Sequence, residues 1–304
     1  MSDKTSTMIA IDPKKAREEQ KHVRKEKLTT GDRVVGGVSH VVLGIWSVIV
    51  ILPMLWTLFT SFKTTREIFA SPFSLPENWN MNNYVNAWSK YNFGQMFVNT
   101  VIVVSVSLVL VMLLGAMCAY ILARFNLPGS RVVYYLMLAG LTFPVFLAIV
   151  PLFFILQSMG LLNTLPGLIL TYVAFALPFT VFFLFSFFKS LPYEIQEAAY
   201  IDGASEWRTF FQVMLPMAKP GLAAVAILNF LGLWNQFLLP VALNTDQAQY
   251  VLSQGMAAFA SAAGYEVDVG ALFAAVIITI VPVLIVYIFF QRQLQGSVTQ
   301  GTSK

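Results

Sequence analysis

The sequence predicts an all-α membrane protein of six transmembrane helices with both termini cytoplasmic, and three observations carry that prediction. The composition is 57% hydrophobic and 11% charged, against about 25% charged in a soluble globular domain. Six apolar segments lie at roughly 34–62, 97–123, 132–158, 166–188, 220–242 and 269–290, each close to or above the ~20 residues that cross a bilayer. The basic residues fall on alternate sides of those segments with a strong bias, as membrane insertion demands.

Taken in order, residues 1–33 form a basic N-terminal tail with nine Lys and Arg. It is charged for too long, and the apolar stretch after it is too extended, for a secretory signal peptide. It reads as a solvated arm that orients the first span, or as a contact for anionic lipid or a cytoplasmic partner. With the tail inside, the turn holding Arg124 and Arg131, the loop holding Lys189, Arg208 and Lys219, and the end holding Arg292 and Lys304 are inside too. That places 16 of the 19 basic residues in the cytoplasm, leaving Lys63, Arg66 and Lys90 outside. The third and fourth segments are joined only by residues 160–165, a length suited to a tight hairpin. Pro144, Pro151 and Pro178 are expected to kink their helices rather than end them. The predicted organisation is thus the tail 1–33, a six-helix domain 34–292 with a cytoplasmic loop 189–219 between helices 4 and 5, and a C-terminal tail 293–304.

What the spans lack is equally informative. Acidic side chains are confined to tails and loops, with Asp268 at the mouth of the sixth span. An ion-coupled carrier needs ionisable groups at membrane depth to hold its driving ion. No HExxH, GxSxG or paired intramembrane carboxylates suggest an enzyme, and no Walker A sequence is present. Cys118 is the single cysteine, so no intrachain disulfide or cysteine metal cluster forms, and no metal site is expected. No run interleaves aromatic and basic residues as a nucleic-acid surface would. The chain reads as a path without an engine or a cofactor of its own.

The cytoplasmic loop carries the signal. Pro192 suits the first turn of a helix and Glu194 its positive end. Gly203 can take the left-handed conformation that closes a helix. Ser205 can cap a second short helix through Trp207 and Phe211, expected to stop before Pro216. Ala198 and Ala199 leave a nearly bare face for close approach of a partner. On these residues alone, an interfacial hairpin without a partner is an equal alternative.

Glu197-Ala198-Ala199, Gly203, and then Val213-Met214-Leu215-Pro216 resemble the EAA motif of ABC importer permeases, with Val213 in place of the usual Ile. Glu67-Ile68-Phe69, Asn83-Tyr84, Asn99-Thr100, the stretch Ala119 to Phe125 with Pro128-Gly129, and Trp234-Asn235 resemble carbohydrate permeases of the maltose and multiple-sugar type, on their MalG-like side. The likeness covers roughly 34–292. It implies a permease subunit of a prokaryotic cytoplasmic-membrane importer moving a di- or oligosaccharide by ATP-driven alternating access. It further implies a MalF-like second permease, an ATPase dimer that binds the ATP and Mg, and an extracytoplasmic sugar-binding protein. The coupling residues implied are Glu197, Ala198, Ala199, Asp202, Gly203, Leu215 and Pro216. Asn229, Trp234, Asn235 and Gln236 of the fifth segment have sugar-binding chemistry; the other reading is that they satisfy one another or pack on the partner.

Overall fold

The computed structural model describes residues 30–262 and 268–300. The predicted basic tail up to residue 29 and the last four residues lie outside them. The described residues are helical throughout, without strands, and comprise α1 (Thr30–Thr60), α2 (Thr65–Ala70), α3 (Asn82–Val85), α4 (Phe93–Arg124), α5 (Ser130–Thr142), α6 (Val145–Ser158), α7 (Leu165–Ser190), α8 (Tyr193–Ile201), α9 (Glu206–Met217), α10 (Lys219–Trp234), α11 (Leu238–Leu243), α12 (Leu252–Ala262) and α13 (Val269–Gln300). The chain divides into two compact units, Met1–Trp56 and Thr57–Lys304. The described part of the first is a stretch of α1, apolar from Val34 onward with Pro53 inside it. The second holds everything else.

In the second unit α4 and α7 are the central pair. Val103, Ser107, Val111, Gly115, Ala119 and Ala123 recur every four residues along α4, and all are buried. That spacing makes one ridge of the helix surface, and its residues become small toward the Arg124 end. Close approach follows: a Cβ on Gly115 would lie 2.5 Å from Thr180 Cγ2 of α7. Lipid is as apolar as leucine, so this pair is held by tight contact of small residues rather than by expulsion of water.

The external loop residues quoted for the family resemblance each have a local task. Asn83 donates through Nδ2 to the carbonyls of Ser61 and Lys63, both at 2.8 Å. Asn99 donates to the carbonyls of Ala248 and Tyr250, and Thr100 Oγ1 accepts from the Leu252 N–H. Lys63 is fully buried and donates to the Ser71 carbonyl and Ser74 Oγ. These bonds tie the segments between spans to span ends.

Four helices are long and apolar enough to cross a membrane singly: Val34–Thr60, Phe93–Arg124, Leu165–Ser190 and Val269–Gln291. The expected six are reached only when two bent pairs each count as one span. The third segment is broken: α5 and α6 meet at 107°. Pro144 therefore ends a helix, contrary to expectation, while Pro151 and Pro178 stay inside continuous ones. Phe143 (ψ 122°) and Pro144 (ψ 120°) are both extended, the conformation that proline imposes on the residue before it. α5 is registered on α7 through Gly140, whose added Cβ would stand 2.8 Å from Pro178 Cγ, and α6 turns away to pack on α11.

The fifth segment is also not one helix. α10 ends at Trp234, and α11 begins only at Leu238. At 16 residues, α10 is about 24 Å long, short of the ~30 Å hydrocarbon thickness. Asn235 and Gln236 stop it: Asn235 Nδ2 donates to the Leu231 carbonyl, and Gln236 Oε1 accepts from the Phe237 N–H. The Gln236 amide here takes the Phe237 N–H, a backbone donor that a continuing helix would use, while the Asn235 amide shares the Leu231 carbonyl with its own N–H. Between α6 and α7, Gly160 (φ 67°) and Asn163 (φ 60°) make the tight connection, and Thr164 caps α7 by accepting from the Gly167 N–H.

Candidate functional site

After α7 the chain leaves the bundle through the extended residues Leu191 and Pro192 and forms α8. Glu194 stands in its first turn, where the helix dipole favours a carboxylate. The helix closes as the sequence requires. Gly203 has φ 78°, its N–H donates to the Tyr200 carbonyl at 3.0 Å, and the Ala204 N–H reaches back to the Ala199 carbonyl at 2.9 Å. This is the Schellman arrangement, which needs a residue at ease with positive φ. Ser205 then caps α9 by accepting from the Arg208 N–H.

α9 does not stop before Pro216. It widens into a π-helical segment over Thr209–Met214, where the Leu215 N–H donates to the Phe210 carbonyl five residues back, and runs to Met217. The wide turn accommodates a proline that has no N–H to give. The true break follows at Ala218, with α10 set at 77°. Phe210 and Met214 are buried against Ala116, Ala119, Tyr120, Leu184 and Phe188, so α9 is wedged into the α4–α7 core while α8 lies outside it.

Two sets of bonds hold α8. Gln196 Nε2 donates to the Tyr200 hydroxyl at 2.8 Å, and that hydroxyl donates to Glu206 Oε2 at 2.7 Å, joining α8 to α9. Burial and then the neighbouring Glu206 carboxylate push the Tyr200 phenol above its ordinary range, against the opposing effect of Gln196, so at neutral pH it remains a donor. At the other end Arg124 Nη2 donates to the Leu191 carbonyl at 2.7 Å, its guanidinium lies 4.4 Å from the Tyr193 ring centre, and the Tyr193 hydroxyl donates to the Ala123 carbonyl. These contacts join the start of α8 to the end of α4. Arg124, Tyr193, Gln196, Tyr200 and Glu206 were not among the site residues anticipated from sequence. The position of Arg124 in the last turn of its helix was the available signal.

The outer surface of α8 and the turn after it combines exposed apolar and acidic side chains. Ile201 is 86% and Trp207 63% exposed, and Glu194, Glu197, Ala198 and Asp202 are exposed around them. None of the Glu194, Glu197 and Asp202 carboxylates is hydrogen-bonded or ion-paired among the described residues. Asp202 sits at the C-cap of α8, the negative end of the helix dipole, a placement that costs about 0.3–1 kcal/mol without a cationic neighbour. Ala199 corrects the expected bare face: it is buried, and its small size lets α8 rest on its own protein, leaving Ala198 as the outward alanine. Leu215 and Pro216 are half-buried and sit on the inner side.

The polar residues of the fifth segment separate. Trp234 is buried and donates from Nε1 to the Thr279 carbonyl of α13. Asn235 is exposed and spent on the end of α10. Asn229 and Gln236 instead share a cavity of about 340 Å3 with Gly140, Phe143, Tyr172 and Gly232. Nδ2 of Asn229 is held by Thr180 Oγ1 at 2.8 Å.

The family described as binding-protein-dependent transport system inner membrane component matches residues 111–300. The chain is 69% identical over 273 residues, covering 90% of each chain, to a diacetylchitobiose uptake system permease protein of Streptomyces coelicolor. It is 33% identical to a trehalose transport system permease protein of Mycobacterium tuberculosis, over 84% of this chain and 92% of that one. Among solved structures it is similar in fold to a chain of a bacterial ABC transporter involved in import of alginate, with a TM-score of 0.78 at 22% identity, covering 88% of this chain and 99% of that one.

Proposed function

The chain belongs to the family of binding-protein-dependent transport system inner membrane components, and from that premise we propose that it is a permease subunit of an ATP-driven importer for a di- or oligosaccharide. The relative with 69% identity makes an N-acetylated disaccharide such as diacetylchitobiose the first substrate to assay. The partners are a second permease, an ATPase dimer that binds ATP and Mg, and an extracytoplasmic sugar-binding protein. Both termini and the loop from α8 to α9 face the cytoplasm, in keeping with the distribution of basic residues.

The observation that carries this reading is the outer surface of α8. Unpaired Glu197 and Asp202 beside exposed Ile201 and Trp207 suit a groove that is apolar at its floor and basic at its rim. A short helix held at one end by Arg124 and at the other by the Tyr200–Glu206 bond moves as a unit. When the ATPase dimer closes on ATP, α8 follows it. The Arg124–Leu191 bond draws on α4 and the buried Phe210 on the α4–α7 core, so the spans rearrange between inward-open and outward-open states. Hydrolysis lets the pair return.

Reconstitution tests the assignment. Vesicles holding the chain with its second permease and ATPase should take up diacetylchitobiose only with internal-facing ATP and the binding protein present. Uptake by the chain alone in ATP-free vesicles would overturn the proposal in favour of a self-sufficient carrier.

A further inference from the structure

Two helix breaks face one cavity. The α5–α6 break supplies Gly140, Phe143 and Val145, α7 supplies Tyr172 and Phe179, and the end of α10 supplies Asn229, Gly232 and Gln236. Measured along the helices, Phe143 lies about 18 Å from Arg131 and Trp234 about 23 Å from Lys219. Each break thus lies about three to four helical turns from a basic residue assigned by the charge distribution to the cytoplasmic side. Interrupted helices at mid-depth are how membrane transporters bring unspent backbone groups to a ligand. The Val145 N–H, at the first position of the 14-residue α6, has no acceptor within its own helix.

The cavity's chemistry is mixed in a specific way. Phe143 is 51% exposed, and with Phe179 it offers aromatic faces. Gln236 uses Oε1 on the Phe237 N–H, and its backbone carbonyl accepts from Ser253, which leaves Nε2 as a donor without a partner among the described residues. The Tyr172 hydroxyl likewise has no partner among them. The volume of about 340 Å3 lies at the small end of the ~300–1,000 Å3 typical of small-molecule sites. At Gly232, which lines it, an added Cβ would meet nothing within 4 Å.

Resting on the sugar-importer reading, we infer that this cavity is a sugar subsite contributed by this subunit, shaped for one acetamido-bearing pyranose ring. The ring's C–H face lies on Phe143 or Phe179, the acetamido carbonyl accepts from Gln236 Nε2, and the acetyl methyl occupies the apolar part of the wall. Trp234 and Asn235, which share the sequence neighbourhood, take no part: one is bonded to α13 and the other ends α10.

The test uses the assembled complex in proteoliposomes with radiolabelled diacetylchitobiose. Gly232→Leu adds bulk at a cavity-lining position where an added Cβ meets nothing within 4 Å, and Gln236→Ala removes the donor. Leu170→Ala, exposed on α7 away from the cavity, is the control. Gly232→Leu should lower uptake at least tenfold. Gln236→Ala should raise KM three- to tenfold with little change in maximal rate. Both should keep binding-protein-stimulated ATPase activity within about twofold of the parent, a retention that a coupling or folding defect would not give. Uptake and KM within twofold of the parent in both variants, from a parent that does import the sugar, would overturn the subsite and leave the importer reading intact. Loss of the second permease from purified Gly232→Leu, with parental uptake by Gln236→Ala, would overturn it too, because the cavity would then be a subunit contact. A parent complex that imports no diacetylchitobiose would overturn the acetamido assignment through the importer reading on which it rests.

Discussion

The α8–α9 loop and the cavity between the two broken helices are built on opposite plans. In the loop, local chemistry sets the helix ends: a proline and Glu194 at the start, Gly203 at φ 78° at the close, Ser205 at the next cap. The cavity is decided by contacts distant in sequence, such as Gly140 against Pro178 and Asn229 against Thr180. In the proposed function, the part that transmits force is a short helix bonded to its neighbours at both ends. A part that must admit a ligand is left with helix ends, free donors and glycines. Substitutions in the two regions should therefore fail in different ways: coupling to the ATPase is lost in one, sugar handling in the other.

The largest effect is expected at the outward face of α8. Ala198→Trp and Glu197→Lys should insert and fold normally, since both side chains are exposed, yet uptake should fall at least tenfold. Co-purification of the ATPase, or its response to binding protein, should fall with it. A buried charge contact at an interface is worth a few kcal/mol when one partner is removed, enough for that loss. Gly203→Val should approach the same outcome, because a β-branched residue resists positive φ.

Packing comes next. Gly140→Val should reduce the yield of folded protein, because a Cβ there already meets Pro178; overpacking of this kind costs about 1–3 kcal/mol. Thermal stability of the detergent-purified complex is the check. Gly232→Leu, in the same cavity but with open space around it, should leave that stability unchanged, which separates the two glycines.

A smaller effect is expected from Tyr200→Phe, which removes the bond between α8 and α9. About 1 kcal/mol is at stake, so uptake should fall only a fewfold. The raised phenol pKa of Tyr200 has a definite consequence. The folded state binds this proton more tightly than the unfolded chain, so the contribution is complete below the ordinary value of about 10 and is lost as pH rises above it. Coupling should show no dependence on this group between pH 6 and 8. The smallest effect is Thr180→Val, which removes an intramembrane hydrogen bond to Asn229 worth about 0.6 kcal/mol and should lower thermal stability only slightly.

Much of the lever was legible in the sequence because caps and turns are written in adjacent residues. The apolar segments were legible because hydropathy needs no partner. The breaks were not. Pro144, Pro151 and Pro178 look alike in sequence, yet only Pro144 ends a helix, since its neighbours are anchored in different directions by α7 and α11. Asn235 and Gln236 read as span residues until their amides are seen bonded to backbone at the end of α10, Asn235 to the Leu231 carbonyl and Gln236 to the Phe237 N–H. Ala199 read as part of a bare outer face, but which of two adjacent alanines points inward depends on how α8 rests on α9. The same limit hid Arg124, whose acceptor lies 67 residues away.

The central claim is that α8 is the cytoplasmic lever of an ATP-driven importer. The direct measurement places a cysteine at Glu197 in a Cys118→Ser background, within the assembled complex. It should cross-link to lysine amines of the ATPase subunit with a short thiol-to-amine bifunctional reagent, and an impermeant thiol reagent should not reach it in intact cells. A cysteine at Asp246 in the same background should be labelled from outside. Labelling of the Glu197 position from outside, or its failure to cross-link to the ATPase in a complex that still transports sugar, would contradict the account.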